Sequence, residues 1–278
     1  MSVNDQKNPV IWFNGEYIEG GAVIPHNDEG YLRGLGVFDT MLGDKGAPIN
    51  ARPHFERLIR DCKTVLLHDY EWALDEFVET ATRLLKDNGI TQGKARIRTQ
   101  ITAGITPEML SKPVNPFIMM MAIATDVPAM NAPVKTIIVD EYPRIPNCRF
   151  ENCKRFDYTR SYYGKQMALA AGAYDALITN TDGNIVCATT SNLFIREGDQ
   201  LITPPLHDGA LNGITRMGVI EKYQATQDSI SRARLMRADG VFLTNSILGI
   251  RFVESVDGVS LDRSSAMFDD LIQVAAQN

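Results

Sequence analysis

The chain is poor in several residue types, and each shortage removes a class of protein. Its four cysteines, Cys62, Cys148, Cys153 and Cys187, are scattered through 278 residues without a CxxC pair, which excludes a disulfide-stapled scaffold and the usual zinc-ribbon spacing. Histidine is equally sparse: four residues, at 26, 54, 68 and 207, stand too far apart for ligand spacing, so no metal site is expected. No apolar run approaches the roughly 18 residues of a membrane span. The polar start, Met1 to Lys7, lacks the apolar stretch of a secretory signal. Basic residues do not dominate, 28 Lys and Arg against 34 Asp and Glu giving a net charge of −6, so neither nucleic acid nor a membrane surface is an expected partner. These shortages together predict a reduced, cytoplasmic protein.

What is present suffices for a large fold. A chain of 278 residues buries roughly three quarters of its unfolded surface. Val10 to Phe13 and Glu16 to Ile18 flank Asn14-Gly15, a turn pair that tolerates positive φ and predicts a hairpin. Glycines 30, 34 and 36 then surround Tyr31 and Arg33. They predict flexible backbone, and without a third fingerprint glycine or an acidic partner they predict no dinucleotide site. Apolar residues recur at three- and four-residue intervals from Ala51 to Leu67 and from Trp72 to Lys86, predicting two helices with buried stripes. Strands are expected over Ala95 to Thr102 and Pro116 to Ala124. The proline-bearing stretch 128–133 reads as a linker between an N-terminal domain, 1–127, and a C-terminal domain, 134–278. The second domain opens with a strand from Val134 to Asp140. It continues with a helix from Thr159 to Gly172 and a hairpin of Tyr174 to Thr179 with Asn184 to Ala188, then helices near Ile214 to Tyr223 and Ile230 to Met236. The class is α+β: a small N-terminal α/β domain and a larger strand-rich one.

The stretch Glu151-Asn152-Cys153-Lys154-Arg155-Phe156-Asp157-Tyr158 carries the first candidate. A lysine just before a helix and beside aromatic residues is able to sit among apolar groups and cations that disfavour its charged form, which makes its amine a nucleophile. Gly213-Ile214-Thr215 opens a helix, and free backbone amides there suit a phosphate; a plain helix start is the other reading. In β alternation Arg96, Arg98 and Gln100 share one face, where a guanidinium needs solvent or an anion.

In this order, Lys154, Ser191-Asn192-Leu193-Phe194 and Gly213-Ile214-Thr215-Arg216 resemble the class IV aminotransferases, the fold-type IV family that uses pyridoxal 5′-phosphate (PLP). The resemblance extends from about Trp12 to Gly258 and is strongest to the D-amino-acid transaminases. It implies that Lys154 forms the internal aldimine and moves the substrate proton. It also implies that Arg57, Ser246 and the amides of Gly213, Ile214 and Thr215 hold the phosphate, and that Tyr158, Ser191, Asn192 and Asn245 line the cofactor. Cys187 departs from the pattern. It stands where relatives carry the glutamate that keeps the pyridine nitrogen protonated, so a weaker electron sink is expected here.

Arg33 and Arg98 are candidates for the substrate carboxylate, with Tyr31 lining the same side. The arginine that D-amino-acid transaminases place in Val-Thr-Arg-Gly is Ala103 here, which leaves the substrate open. The resemblance further implies a homodimer in which the loop around Tyr31 and Arg33 reaches the partner's site. The expected reaction moves an amino group between a D-amino acid and a 2-oxo acid. Aminodeoxychorismate lyase and branched-chain (L) aminotransferase are the alternatives, and a non-catalytic PLP-binding homologue is a further one.

Overall fold

A computed structural model describes residues 8–126 and 133–261. The expected linker 128–133, apart from Pro133, lies outside the described residues. The described chain forms two compact units: residues 8–126 with Cys153–Phe156, and residues 133–152 with 157–261.

The first unit begins with β1 (Val10–Phe13) and β2 (Glu16–Glu19), paired across the Asn14-Gly15 turn in which both residues take positive φ. Where flexible backbone is expected, the chain makes a short helix, α1 (Glu29–Arg33). Asp28 caps it by accepting the Tyr31 N–H at 2.8 Å and also takes the Thr102 hydroxyl at 2.6 Å. Gly30 is needed there because a Cβ would lie 2.7 Å from the Thr102 side chain. Next come β3 (Gly36–Asp44), β4 (Ala47–Pro48), α2 (Ala51–Leu66), α3 (Leu74–Asp87), β5 (Lys94–Ile105) and β6 (Asn115–Ala124).

The six strands form one sheet in the order β2-β1-β6-β5-β3-β4 with every pairing antiparallel. Both long helices spend their apolar stripes on it. Leu58, Cys62 and Leu66 of α2 and Phe77, Ala81, Leu84 and Leu85 of α3 pack with Val37, Met41, Ile97, Ile101, Ile118 and Met120. This burial removes about 1.5–3 kcal/mol worth of apolar exposure per large side chain. The second helix starts at Leu74 and not at Trp72, because Trp72 stacks on Trp12 at 5.1 Å with Phe55 and Phe77 against its edge.

The second unit consists of β7 (Val134–Arg144), α4 (Thr159–Ala170), β8 (Asp175–Asn180), β9 (Ile185–Ala188), β10 (Asn192–Glu197) and β11 (Gln200–Thr203), followed by α5 (Ile214–Tyr223), β12 (Thr226–Gln227), α6 (Arg232–Arg237), β13 (Gly240–Asn245), β14 (Gly249–Val256) and β15 (Val259–Ser260). Its sheet runs β12-β11-β10-β13-β14-β7-β8-β9, with β15 on β14. The β7 strand is parallel to both β8 and β14. A single pair, Asn192 with Cys187, joins β9 back to β10, so the middle strands close into a ring with no free edge between them. β8 and β9 are buried at every residue, as strands covered on both faces must be.

Candidate active site

In the first unit the chemistry gathers on β3, α2, β5 and the segment Cys153–Phe156. That segment lies against β3 as a short bridge. The Phe38 N–H donates to the Lys154 carbonyl at 2.9 Å, the Phe156 N–H to the Gly36 carbonyl at 3.0 Å, and Val37 pairs with Arg155. Glycine at 36 is required because a Cβ would meet the Phe156 ring at 2.8 Å. The Lys154 amide donates to Asp61 Oδ2 at 2.8 Å. Its Nζ lies 4.4 Å from the centre of the Phe38 ring, and the Arg98 guanidinium lies 3.8 Å from the same ring. One aromatic ring therefore carries an amine and a guanidinium, both stabilised by its π-face. Arg98 also donates from Nε to Gln100 Oε1 at 2.7 Å.

Arg57 is buried, and the Asp39 carboxylate holds its fork: Nε and Nη2 each lie 2.7 Å from Oδ2. The other oxygen, Oδ1, meets His54 Nδ1 at 2.5 Å. Burial alone would raise the Asp39 carboxyl, but the charges and hydrogen bonds of Arg57 and His54 outweigh it and hold the group well below the usual carboxylate range. Asp61 shows the opposite balance. Its burial outweighs the Lys154 amide and the neighbouring Arg60, so its carboxyl is pushed up. Of the two proposed carboxylate ligands, Arg33 is engaged within its own helix, donating to both oxygens of Glu29 at 2.8 Å. Tyr31, by contrast, is 74% exposed.

In the second unit three motifs far apart in sequence meet at one end of the sheet. Asn192 Nδ2 donates to the Leu211 carbonyl at 2.7 Å, and Asn245 Nδ2 donates to Ser191 Oγ at 3.1 Å. Asn245 Oδ1 in turn accepts the Ile247 and Leu248 amides, shaping the turn that contains Ser246. Gly213 has no room for a side chain, since a Cβ would collide with Asn192 Oδ1. As N-cap of α5, Gly213 offers no side-chain acceptor, so the first-turn amides of Ile214 and Thr215 have no cap. Arg216, almost wholly buried, ties the next turn down through neutral acceptors only: Asn212 Oδ1, the Pro204 carbonyl and Gln227 Oε1. Burial lowers its guanidinium to about 10.

Cys187 is buried among Val139, Ala168, Ala176, Ile178 and Ala210, and its sulfur meets the Arg144 guanidinium. Arg144 and Arg160 both grip Glu151, at 2.7 Å and at 2.8 and 2.9 Å. Burial would raise the Glu151 carboxyl, but the Arg160 hydrogen bonds and the Arg144 charge prevail and hold it low. Tyr158 sits at the start of α4, about a third exposed.

Of the predicted residues, Lys154 and Arg98 come together in the first unit. Cys187, Ser191, Asn192, Gly213 and Asn245 do so in the second. Asp39, His54, Phe38 and Asp61 were not foreseen, nor was the Arg144–Glu151–Arg160 cluster. A signal existed for part of this set: His54, Arg57 and Asp61 recur at helical spacing beside Leu58 and Cys62, so polar residues interrupt the buried stripe of α2. No group of His, Cys, Asp and Glu able to hold a metal occurs among the described residues.

The first unit offers a primary amine at 154 and a guanidinium fixed by a carboxylate, groups that suit an aldehyde and an anion; the second offers a helix start without a side-chain cap, which suits a phosphate. Comparison with known proteins points the same way. The family model described as amino-transferase class IV matches residues 36–256. An aminodeoxychorismate lyase of Bacillus subtilis is 28% identical over 95% of this chain and 92% of its own length. A D-alanine aminotransferase of Staphylococcus epidermidis is 26% identical over 89% of each. The crystal structure of a putative 4-amino-4-deoxychorismate lyase from Legionella pneumophila superposes with a TM-score of 0.86 at 27% identity, covering 92% of this chain and 96% of that one.

Proposed function

We propose, for a chain that belongs to the class IV aminotransferase family and takes PLP as its cofactor, that it moves an amino group between a D-amino acid and a 2-oxo acid. The observation carrying this reading is the shared Phe38 ring, with the Lys154 amine and the Arg98 guanidinium over it. An amine nucleophile and a carboxylate ligand are the two groups an amino-acid substrate needs. PLP, when bound, supplies an aldehyde that takes up amino groups and a conjugated ring that accepts electron density.

Lys154 would hold the cofactor through its amine, and its Nζ would carry a proton to and from the substrate Cα. Arg57, fixed by Asp39, and the α5 amides of Ile214 and Thr215, with Ser246, hold the phosphate. Ser191, Asn192 and Asn245 shape that end of the second unit, and Tyr158 lines the cofactor. Arg98 is the better carboxylate ligand, because it lies over the same Phe38 ring as the Lys154 amine, whereas Arg33 pairs with the Glu29 carboxylate. Arg33 then serves to hold the exposed Tyr31 loop, which reaches the partner's site in a cytoplasmic homodimer.

A second reading, lyase release of pyruvate from aminodeoxychorismate, is favoured by the 28% and 27% identities to lyases. One experiment separates them. The purified protein is loaded with PLP, reduced with borohydride and digested, and the labelled peptide is identified. The unreduced protein is then offered D-alanine, L-branched donors and aminodeoxychorismate in turn. Label on Lys154 and conversion to the pyridoxamine form by D-alanine alone are expected. Label on another lysine defeats the site, and pyruvate from aminodeoxychorismate without amino transfer moves the assignment to the lyase.

A further inference from the structure

Asp61 has no part in the reading above, yet it is the buried acid in direct contact with the Lys154 backbone. It projects from α2 one helical turn beyond Arg57 and is almost fully buried. Its Oδ2 accepts the Lys154 amide at 2.8 Å, and its Oδ1 meets Arg60 Nε at 3.1 Å and Nη2 at 2.8 Å. The Cys153 thiol hydrogen-bonds it as well, and burial together with this neighbouring charge pushes that thiol up to about 11. On its other side the Lys154 carbonyl accepts the Phe38 N–H. The peptide units flanking the lysine Cα are thus clamped, one by a helix side chain and one by a strand amide, while Nζ lies over the ring of the same Phe38.

Even with Arg60 on its other oxygen, a carboxylate buried at this position carries a desolvation penalty that a neutral oxygen acceptor for the Lys154 amide would avoid. Burial raises the Asp61 carboxyl above its unfolded value. Its ionisation therefore costs stability as pH rises past the unfolded value, and the cost is complete once pH exceeds the raised folded value. The groups facing it are Arg57 and Arg60 from α2 and Cys153 with the Lys154 amide from the crossing segment. What the Lys154 amide needs from this position is an oxygen acceptor held by α2, charged or neutral.

We propose that Asp61 is a positioning residue for Lys154, fixing its backbone from α2 so that the amine is presented over Phe38 in reach of an aldehyde. This rests on Lys154 being the lysine that binds the cofactor.

Asparagine and leucine both match the shape of aspartate; the first keeps an oxygen for the amide and the second does not. Apo protein is mixed with PLP, adduct formation is followed by absorbance, and the product is fixed with borohydride and mapped. Asp61→Asn is expected to react within about threefold of wild type and to melt no lower at neutral pH. Asp61→Leu is expected to react about tenfold more slowly or worse, the equivalent of one lost hydrogen bond at a charged acceptor. Wild-type rates in the leucine variant overturn the proposal, and so does equal slowing in both variants, which would assign the effect to charge. If the leucine variant does not fold, Asp61→Ala carries the same expectation and the same refutation. Absence of label on Lys154 in the wild-type protein defeats the functional reading instead, so the two failures are distinguishable.

Discussion

Asp39 illustrates how much a single buried side chain decides. It lies on β3 at a position phased for burial, and its two oxygens organise Arg57 and His54 at 2.7 and 2.5 Å. If Arg57 holds phosphate, Asp39→Asn loosens the fork: affinity for PLP should fall about tenfold, while affinity for pyridoxal, which lacks the phosphate, stays unchanged. Fluorescence titration with both ligands checks this. The same carboxyl has a pH consequence. Its folded value lies below the unfolded one, so its stabilisation is fully present above the ordinary carboxylate range and is lost as pH falls toward the depressed value. Glu151 contributes with the same sign. Asp39→Asn and Glu151→Gln should each flatten the acid side of a melting-temperature profile, and an unaltered slope would remove the linkage.

Cys187 stands where the resemblance to class IV aminotransferases implies a glutamate. A carboxylate at this position would hold a proton on a pyridine nitrogen more strongly than the sulfur that stands beside Arg144. Cys187→Glu is expected to strengthen the protonated-cofactor absorbance and raise the rate of amino transfer; an unchanged spectrum and rate would refute this account of the position.

At the scale of elements, α2 and the start of α5 carry most of the argument. Leu58 is almost wholly buried on α2 between Arg57 and Asp61. Leu58→Ala should cost about 2–5 kcal/mol through lost burial and the cavity left behind, read as a lowered urea midpoint, and should weaken PLP retention along with the fold. At α5 the interlock of Gly213 with Asn192 is steric. Gly213→Ala drives the new methyl into Asn192 Oδ1 and should reduce PLP affinity. Asn192→Ala relieves that collision, so the two changes together should be less harmful than their sum, which a double-mutant cycle measures. Strict additivity would mean that the contact is unimportant.

Element by element, sequence legibility followed periodicity. The stripes of α2 and α3 and the Asn14-Gly15 hairpin fall within one or two residues of their predicted bounds. The strand Gly36–Asp44 was not legible, since glycines 36 and 43 and the buried Asp39 break its apolar pattern. Nor was α1, where Gly30 and Gly34 suggest loose backbone and the Asp28 cap with Thr102 supplies the order.

For the whole molecule, the cofactor is a stability term as well as a reagent. A ligand that binds only the folded chain stabilises it by about 2.7 kcal/mol at one hundred times its Kd. Saturating PLP should therefore raise the melting temperature by several degrees, inorganic phosphate by less, and pyridoxal by an amount insensitive to Asp39→Asn. Differential scanning calorimetry on the three loaded forms checks the order; equal shifts would argue against a phosphate subsite. Among the described residues no helix is long and apolar enough to cross a membrane.

By itself the sequence determined the family and the elements whose side chains repeat with a fixed period, and it singled out Lys154 as the candidate lysine. Those properties reside in local order: a motif is contiguous, and a buried stripe recurs every three or four residues. Only the tertiary structure decided that Asp39 holds Arg57, that Asp61 holds the amide of Lys154, that Arg33 is occupied by Glu29 and that Arg98 shares the Phe38 ring. All but the Arg33–Glu29 pair join residues far apart in the chain, and each depends on which rotamers packing permits. No periodicity records such contacts, because their energies come from burial and partner geometry and not from neighbours in sequence.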